Sequence, residues 1–110
     1  MGQIVYTGGT FDLFHSGHAN FLRLCRKLAG DDGKVVVSLN TDEFIQEYKG
    51  KPPIMSYQER KAILLACRFV DEVVVNVGGA DSKPAILSVL PCCIVFDCSR
   101  IHPNNLHLII

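Results

Sequence analysis

Short runs of β-branched residues alternate with longer amphipathic stretches along this chain, and that alternation confines it to few folds. A parallel sheet covered by helices buries every such run and leaves each crossover lying on the sheet. Gln3–Thr7 reads as a first strand, and Val35–Leu39 is an apolar run suited to a strand buried on both faces. Asp71–Val77 and Cys92–Phe96 read as the third and fourth strands. Over Gly17–Leu28 the residues Ala19, Phe21, Leu22, Cys25 and Leu28 recur at helical spacing, with Arg23, Arg26 and Lys27 opposite and Ser16 placed as the cap. Thr41-Asp-Glu43 caps a short helix reaching about Tyr48. Ser56-Tyr-Gln-Glu59 has the capping-box pattern and opens a helix through about Arg68, with Ala62, Ile63, Leu65 and Ala66 facing inward. After the loop Gly78–Ser82, a short helix is expected over Lys83–Leu90, with Pro84 in its first turn. The expected fold is therefore α/β, a Rossmann-like open parallel sheet of about four strands with flanking helices. With 110 residues it forms one domain, 1–110, whose last stretch from about 98 has no clear period.

Charge narrows the partners. Lys plus Arg equals Asp plus Glu at 11 each, so no global positive field draws the chain to nucleic acid or an anionic membrane, and affinity for phosphate has to be local. No apolar stretch is long enough for a membrane span or a signal peptide, so a cytoplasmic protein is expected. The five cysteines, Cys25, Cys67, Cys92, Cys93 and Cys98, form no CxxC pair and no disulfide framework, and read as reduced thiols.

The chemistry is concentrated in Gly8-Gly-Thr-Phe-Asp-Leu-Phe-His-Ser-Gly-His18, between the first strand and the first helix. Ligands of open parallel sheets bind beyond the carboxyl ends of the strands, and a helix N-terminus there attracts an anion. Gly8 and Gly9 let backbone approach a bound group, and His15 and His18, three apart, can present both imidazoles to one phosphoryl centre. Such chemistry needs in-line positioning and neutralisation of developing negative charge more than a covalent protein nucleophile. Lys49 and Lys51, on the Lys49-Gly-Lys-Pro-Pro53 loop, are placed to close over a triphosphate, and Arg60 and Arg68 add charge if their exposed ends converge on the cleft. The HxxH spacing also suits zinc, but no third ligand lies nearby, and a metal site is not expected.

Gly9-Thr-Phe-Asp-Leu-Phe-His-Ser-Gly-His18 resembles the GTFDxxHxGH signature of the cytidylyltransferases, nearest to the glycerol-3-phosphate cytidylyltransferases. The likeness continues through Asn40-Thr-Asp-Glu-Phe44, the lysine loop, Ser56-Tyr-Gln-Glu-Arg60 and Arg68-Phe-Val-Asp-Glu-Val73. It implies transfer of CMP from CTP, with Mg²⁺, to glycerol 3-phosphate or a similar phosphorylated alcohol, with release of pyrophosphate. It also implies catalytic roles for His15, His18 and Lys49. Nucleotide contacts are implied for Gly9, Thr10, Phe11, His15, Ser16, Gly17, His18, Lys51 and Arg60, acceptor contacts for Lys49, Lys83 and Arg68, and a homodimer as the assembled state.

The chain differs from the family after its fourth strand, where a Gly-Asp-rich turn and an RTxxISTT-like segment are expected and only Asp97-Cys-Ser-Arg100 echoes the turn. From about Cys92 onward it reads as truncated or diverged. Two further readings therefore stand beside the first: an adenylyltransferase acting on a sugar phosphate, and a non-catalytic nucleotide-binding remnant lacking the C-terminal segment.

Overall fold

A computed structural model of the chain describes residues 3–77, 93–95 and 108–109. The elements run β1 (Ile4–Gly9), α1 (Ser16–Ala29), β2 (Lys34–Leu39), α2 (Asp42–Lys49), α3 (Tyr57–Ala66), β3 (Glu72–Val75), β4 (Cys93–Val95) and β5 (Leu108–Ile109). The sheet order is β3-β2-β1-β4-β5. The pairs β1–β2, β2–β3 and β1–β4 are parallel, with Thr7 opposite Val37 and Val37 opposite Val73. The fifth strand was not expected: Leu108–Ile109 pairs antiparallel with β4, Ile94 opposite Ile109, in a tail that carries no period. The expected loop at 78–82, the helix over 83–90 and Lys83 lie outside the described residues, as does most of the segment from 96 onward.

The period-2 pleat sends Val5, Val35, Val37 and Leu39 to one face, and α1 and α3 cover it. Cys25 and Ala29 of α1 pack on Val5 and Val35. Leu22 of α1 and Leu64 of α3 pack on Val37, Leu39, Phe11 and Val70. Each fully buried leucine here contributes roughly 1.5–3 kcal/mol through transfer from water. At the amino ends of the strands, Arg26 donates to the carbonyls of Gly30, Gly33 and Phe69 and pairs with Asp71, whose carboxylate also accepts from the Val35 amide at 2.7 Å. Among the described residues no helix is long and apolar enough to cross a membrane.

The caps of α2 and α3 follow the sequence. Thr41 Oγ1 accepts from the Phe44 amide at 3.1 Å, and Ser56 and Glu59 exchange the two bonds of a capping box. The inward face of α3 does not follow it. Arg60 and Leu64 are buried, Tyr57 and Cys67 pack beside them, and Ala62, Leu65 and Ala66 are exposed. The phase is set by Arg60, a charged residue that the apolar pattern assigns to water and that the fold takes inside.

Candidate functional site

Strand order reverses at β1, which is flanked by β2 on one side and β4 on the other, so its carboxyl end opens at the switch point where open α/β sheets bind ligands. Gly8 and Gly9 end that strand, and the loop Thr10–Phe14 carries the chain into α1. A Cβ on Gly9 would approach Phe11 Cε2 to 2.9 Å, so this glycine makes room for the Phe11 ring rather than directly for a ligand.

The helix cap is the first departure from expectation. His15, not Ser16, is the N-cap: its backbone is extended (φ −143°, ψ −179°), and its Nδ1 accepts from the Gly17 amide at 3.0 Å. His18 returns the bond, its Nδ1 accepting from the His15 amide at 3.0 Å. The two histidines form a capping box in which imidazoles do the work usually done by Ser and Glu. An Nδ1 that accepts carries no hydrogen, so the neutral ring holds its proton on Nε2. Both rings thus carry their Nε2 proton at the positive end of a helix dipole, and the first turn contains no acidic residue. The ring centroids lie 4.0 Å apart, and His18 is further held by Phe14, stacked at 5.3 Å, and by Phe11 at 5.3 Å.

The loop before the histidines is strained and clamped. Phe11 and Leu13 both have φ of 50°, a conformation that costs on the order of 1–3 kcal/mol for a residue other than glycine. Between them, Asp12 accepts from the Ile54 amide at 2.7 Å and the Met55 amide at 2.9 Å. Burial pushes the Asp12 carboxyl up, but the Ile54, Met55 and Leu13 amides and the Arg60 guanidinium outweigh it and hold it below the ordinary carboxylate range. Asp12 therefore fastens the far end of the lysine loop to the motif. The near end is fastened by Tyr48, whose hydroxyl lies 3.1 Å from Thr10 Oγ1.

Buried polar groups tie the strand ends together. Asn76, after β3, donates to Asn40 Oδ1 at 2.8 Å, and Asn40, after β2, donates to Thr10 Oγ1 at 3.0 Å. Arg60 is fully buried, with Nε donating to the Met55 carbonyl at 3.0 Å and Nη1 to the carbonyls of Thr10 and Asn40 at 2.9 Å each. Its Nη2 pairs with Asp42 at 2.6 Å. Four of its five N–H donors are spent on the walls of the site, in contrast to the exposed charge expected of it.

The structure thus brings Gly9, Thr10, Phe11, His15, Ser16, Gly17 and His18 together, with Lys49, the last residue of α2 rather than a loop residue, and Lys51, on the loop tethered to them, both exposed. Arg68 is not among them within one chain. It follows α3 at the opposite end of the sheet, exposed, with its guanidinium 5.0 Å from the Phe69 ring centroid. Asp12, Asn40 and Tyr48 are structural members of the site that the sequence reading left without roles. Asp12 stood inside the quoted motif, while the Tyr48 contact, 38 positions from its partner in the chain, left no local signal.

Residues 6–88 match the family model described as cytidylyltransferase-like. The chain is 44% identical over 75 residues to a probable ethanolamine-phosphate cytidylyltransferase of Encephalitozoon cuniculi, covering 68% of this chain and 22% of that protein. It is 38% identical over 100 residues to an FAD synthase of Pyrococcus horikoshii, covering 86% of this chain and 66% of that one. The chain therefore spans about a fifth of the first relative and two thirds of the second. Among solved structures, the lipopolysaccharide core biosynthesis protein of Thermoplasma volcanium GSS1 superposes with a TM-score of 0.72 at 28% identity, covering 87% of this chain and 73% of that one.

Proposed function

We propose a function from one premise: the chain belongs to the cytidylyltransferase-like family. On that premise it transfers the nucleotidyl group of a nucleoside triphosphate, CTP in the leading reading, to the phosphate of a small phosphorylated alcohol. An acceptor phosphate oxygen attacks the α-phosphorus, the bond to the bridging oxygen of the β-phosphate breaks, and pyrophosphate leaves. The reciprocal histidine cap supports this reading: it holds two imidazoles 4.0 Å apart at a helix N-terminus, where their Nε2 protons would stabilise charge that develops as the bond to pyrophosphate breaks. Lys49 and Lys51 complement the acceptor and triphosphate charge, and Thr10 and the Gly9 backbone line the floor.

Magnesium enters this reading with the triphosphate. Substrate phosphate oxygens and water usually supply most of the ligands of this ion. Glycerol 3-phosphate is the acceptor implied by the sequence resemblance, and the relatives named for ethanolamine phosphate put that amino alcohol beside it. A second reading, adenylyl transfer from ATP, is favoured by the similarity to FAD synthases, which extends over 100 residues. A homodimer belongs to the proposal because β3 ends the sheet among the described strands and leaves Val75 and Val77 exposed.

Pyrophosphate release tests the reaction, with CTP or ATP and Mg²⁺ offered together with ethanolamine phosphate, glycerol 3-phosphate or riboflavin phosphate. Turnover with CTP and either phosphorylated alcohol supports the leading reading, and turnover with ATP alone replaces it with the second. Folded protein that binds nucleotide and turns over no pair is a binding module.

A further inference from the structure

The two lysines of the proposed reaction stand on a strap fastened at both ends to one short loop. It leaves Tyr48, tied to Thr10 Oγ1 at 3.1 Å, and returns at Ile54 and Met55, tied to the Asp12 carboxylate. Thr10 and Asp12 are only two positions apart, so Gly50–Pro53, which follows α2, must arch out from the loop that leads into His15 and His18. Little of that arch is free to wander. Pro52 and Pro53 have their φ fixed by their rings, and Gly50 ends α2 in the left-handed conformation with φ of 77°. Lys49 is the last residue of α2, so the helix and the Tyr48 tie together place it, while Lys51 stands on the arch that the Asp12 fastening closes.

These fastenings are unequal. At the Asp12 end two amides donate to a carboxylate, while the Tyr48 tie to Thr10 is a contact between neutral hydroxyls. Thr10 is a rigid post for that contact, being buried and held by Asn40, which is held in turn by Asn76. Tyr48 is not a core residue: it is 44% exposed and its ring rests on Phe44 at 4.8 Å. The Lys49 ammonium lies 5.7 Å from the same ring centroid.

We propose that Tyr48 is a positioning residue that, through the Thr10 hydroxyl, sets where Lys49 stands toward the acceptor phosphate and Lys51 toward the triphosphate, an inference that rests on the nucleotidyl-transfer reading. Tyr48 touches no reacting atom in this account. Tyr48→Phe keeps the ring and its contact with Phe44 and removes the hydroxyl that makes the tie. Contacts made alike in ground and transition states act on KM, so KM for the triphosphate and for the acceptor should each rise about fivefold while kcat stays within about twofold.

A second readout is independent of turnover. Trypsin can cut after Lys49 but not after Lys51, whose neighbour is Pro52, so nicking at Lys49–Gly50 reports opening of the strap. Tyr48→Phe should be nicked severalfold faster than wild type at an unchanged thermal midpoint. Unchanged nicking overturns the proposal, and so does an unchanged KM in an active protein. If wild type turns over no substrate pair, the nucleotidyl-transfer reading fails, and the nicking rates alone decide whether Tyr48 holds the strap.

Discussion

The His15 imidazole occupies the space in which residue 17 would carry a Cβ: at Gly17 that atom would lie 2.8 Å from Cε1 and 3.0 Å from Nδ1 of His15. The HxGH spacing is thereby explained from within the chain, since the glycine is what allows the first histidine to fold back onto its own helix. Gly17→Ala should push the ring off the cap, lower stability by about 1 kcal/mol as for other lost N-caps, and cut turnover at least tenfold. Urea unfolding and pyrophosphate release measure the two effects. Wild-type turnover with a wild-type midpoint would show that the ring has no need of its place.

His18 has two jobs that substitutions can separate. Glutamine is the usual partner at this position of a capping box, so His18→Gln should keep the helix start within about 0.5 kcal/mol of wild type while lowering kcat on the order of a hundredfold. His18→Ala should lose about 1 kcal/mol as well as the rate. Equal activity in His18→Gln and wild type would remove the imidazole from the chemistry.

Arg60 should behave as a structural post. Arg60→Met leaves the carbonyls of Thr10, Asn40 and Met55 without their buried donor and Asp42 without its cation, which is expected to cost roughly 3 kcal/mol or more. The denaturant midpoint should fall accordingly. A loss of nucleotide affinity at unchanged stability would instead make Arg60 a ligand contact.

The Asp12 clamp predicts an acid-sensitive loop. The folded carboxyl titrates below its unfolded value of about 3.9, so the native state binds fewer protons in that range. The stabilisation is complete above that value and is lost as pH falls below it through the folded value. Tryptic nicking is impractical in acid, but pepsin attack on the 50–55 segment between about pH 4 and pH 2 should accelerate in wild type. Asp12→Asn should be nicked fast throughout. A wild-type rate that follows the variant's across the window would release Asp12 from this role.

Much of the frame is readable from residues alone. Thr41 and the Ser56–Glu59 pair sit where local hydrogen-bonding rules place helix starts, and the parallel order follows from the alternation of runs. His15 escaped as a cap because imidazole seldom plays that part and Ser16 is the better local candidate. The face of α3 was misplaced because burial of Arg60 depends on three carbonyls arriving from separate segments, which no window of sequence displays. For the same reason the lysines could be nominated from their place on a Gly- and Pro-rich segment, while the contacts beside them, Tyr48 with Thr10 and Asp12 with Ile54 and Met55, emerge only from the fold.

Leu13 holds a left-handed backbone while more than half exposed, so little packing would be lost by its replacement. Leu13→Gly would relieve that conformation, and a selection for heat resistance should find this position readily. The turn it relaxes is the one that presents Asp12 and leads directly into His15, so the same change would loosen the geometry on which turnover depends. Thermostability and catalytic speed are set against each other at a single solvent-facing residue, where a screen scoring only one of them would mistake a trade for a gain.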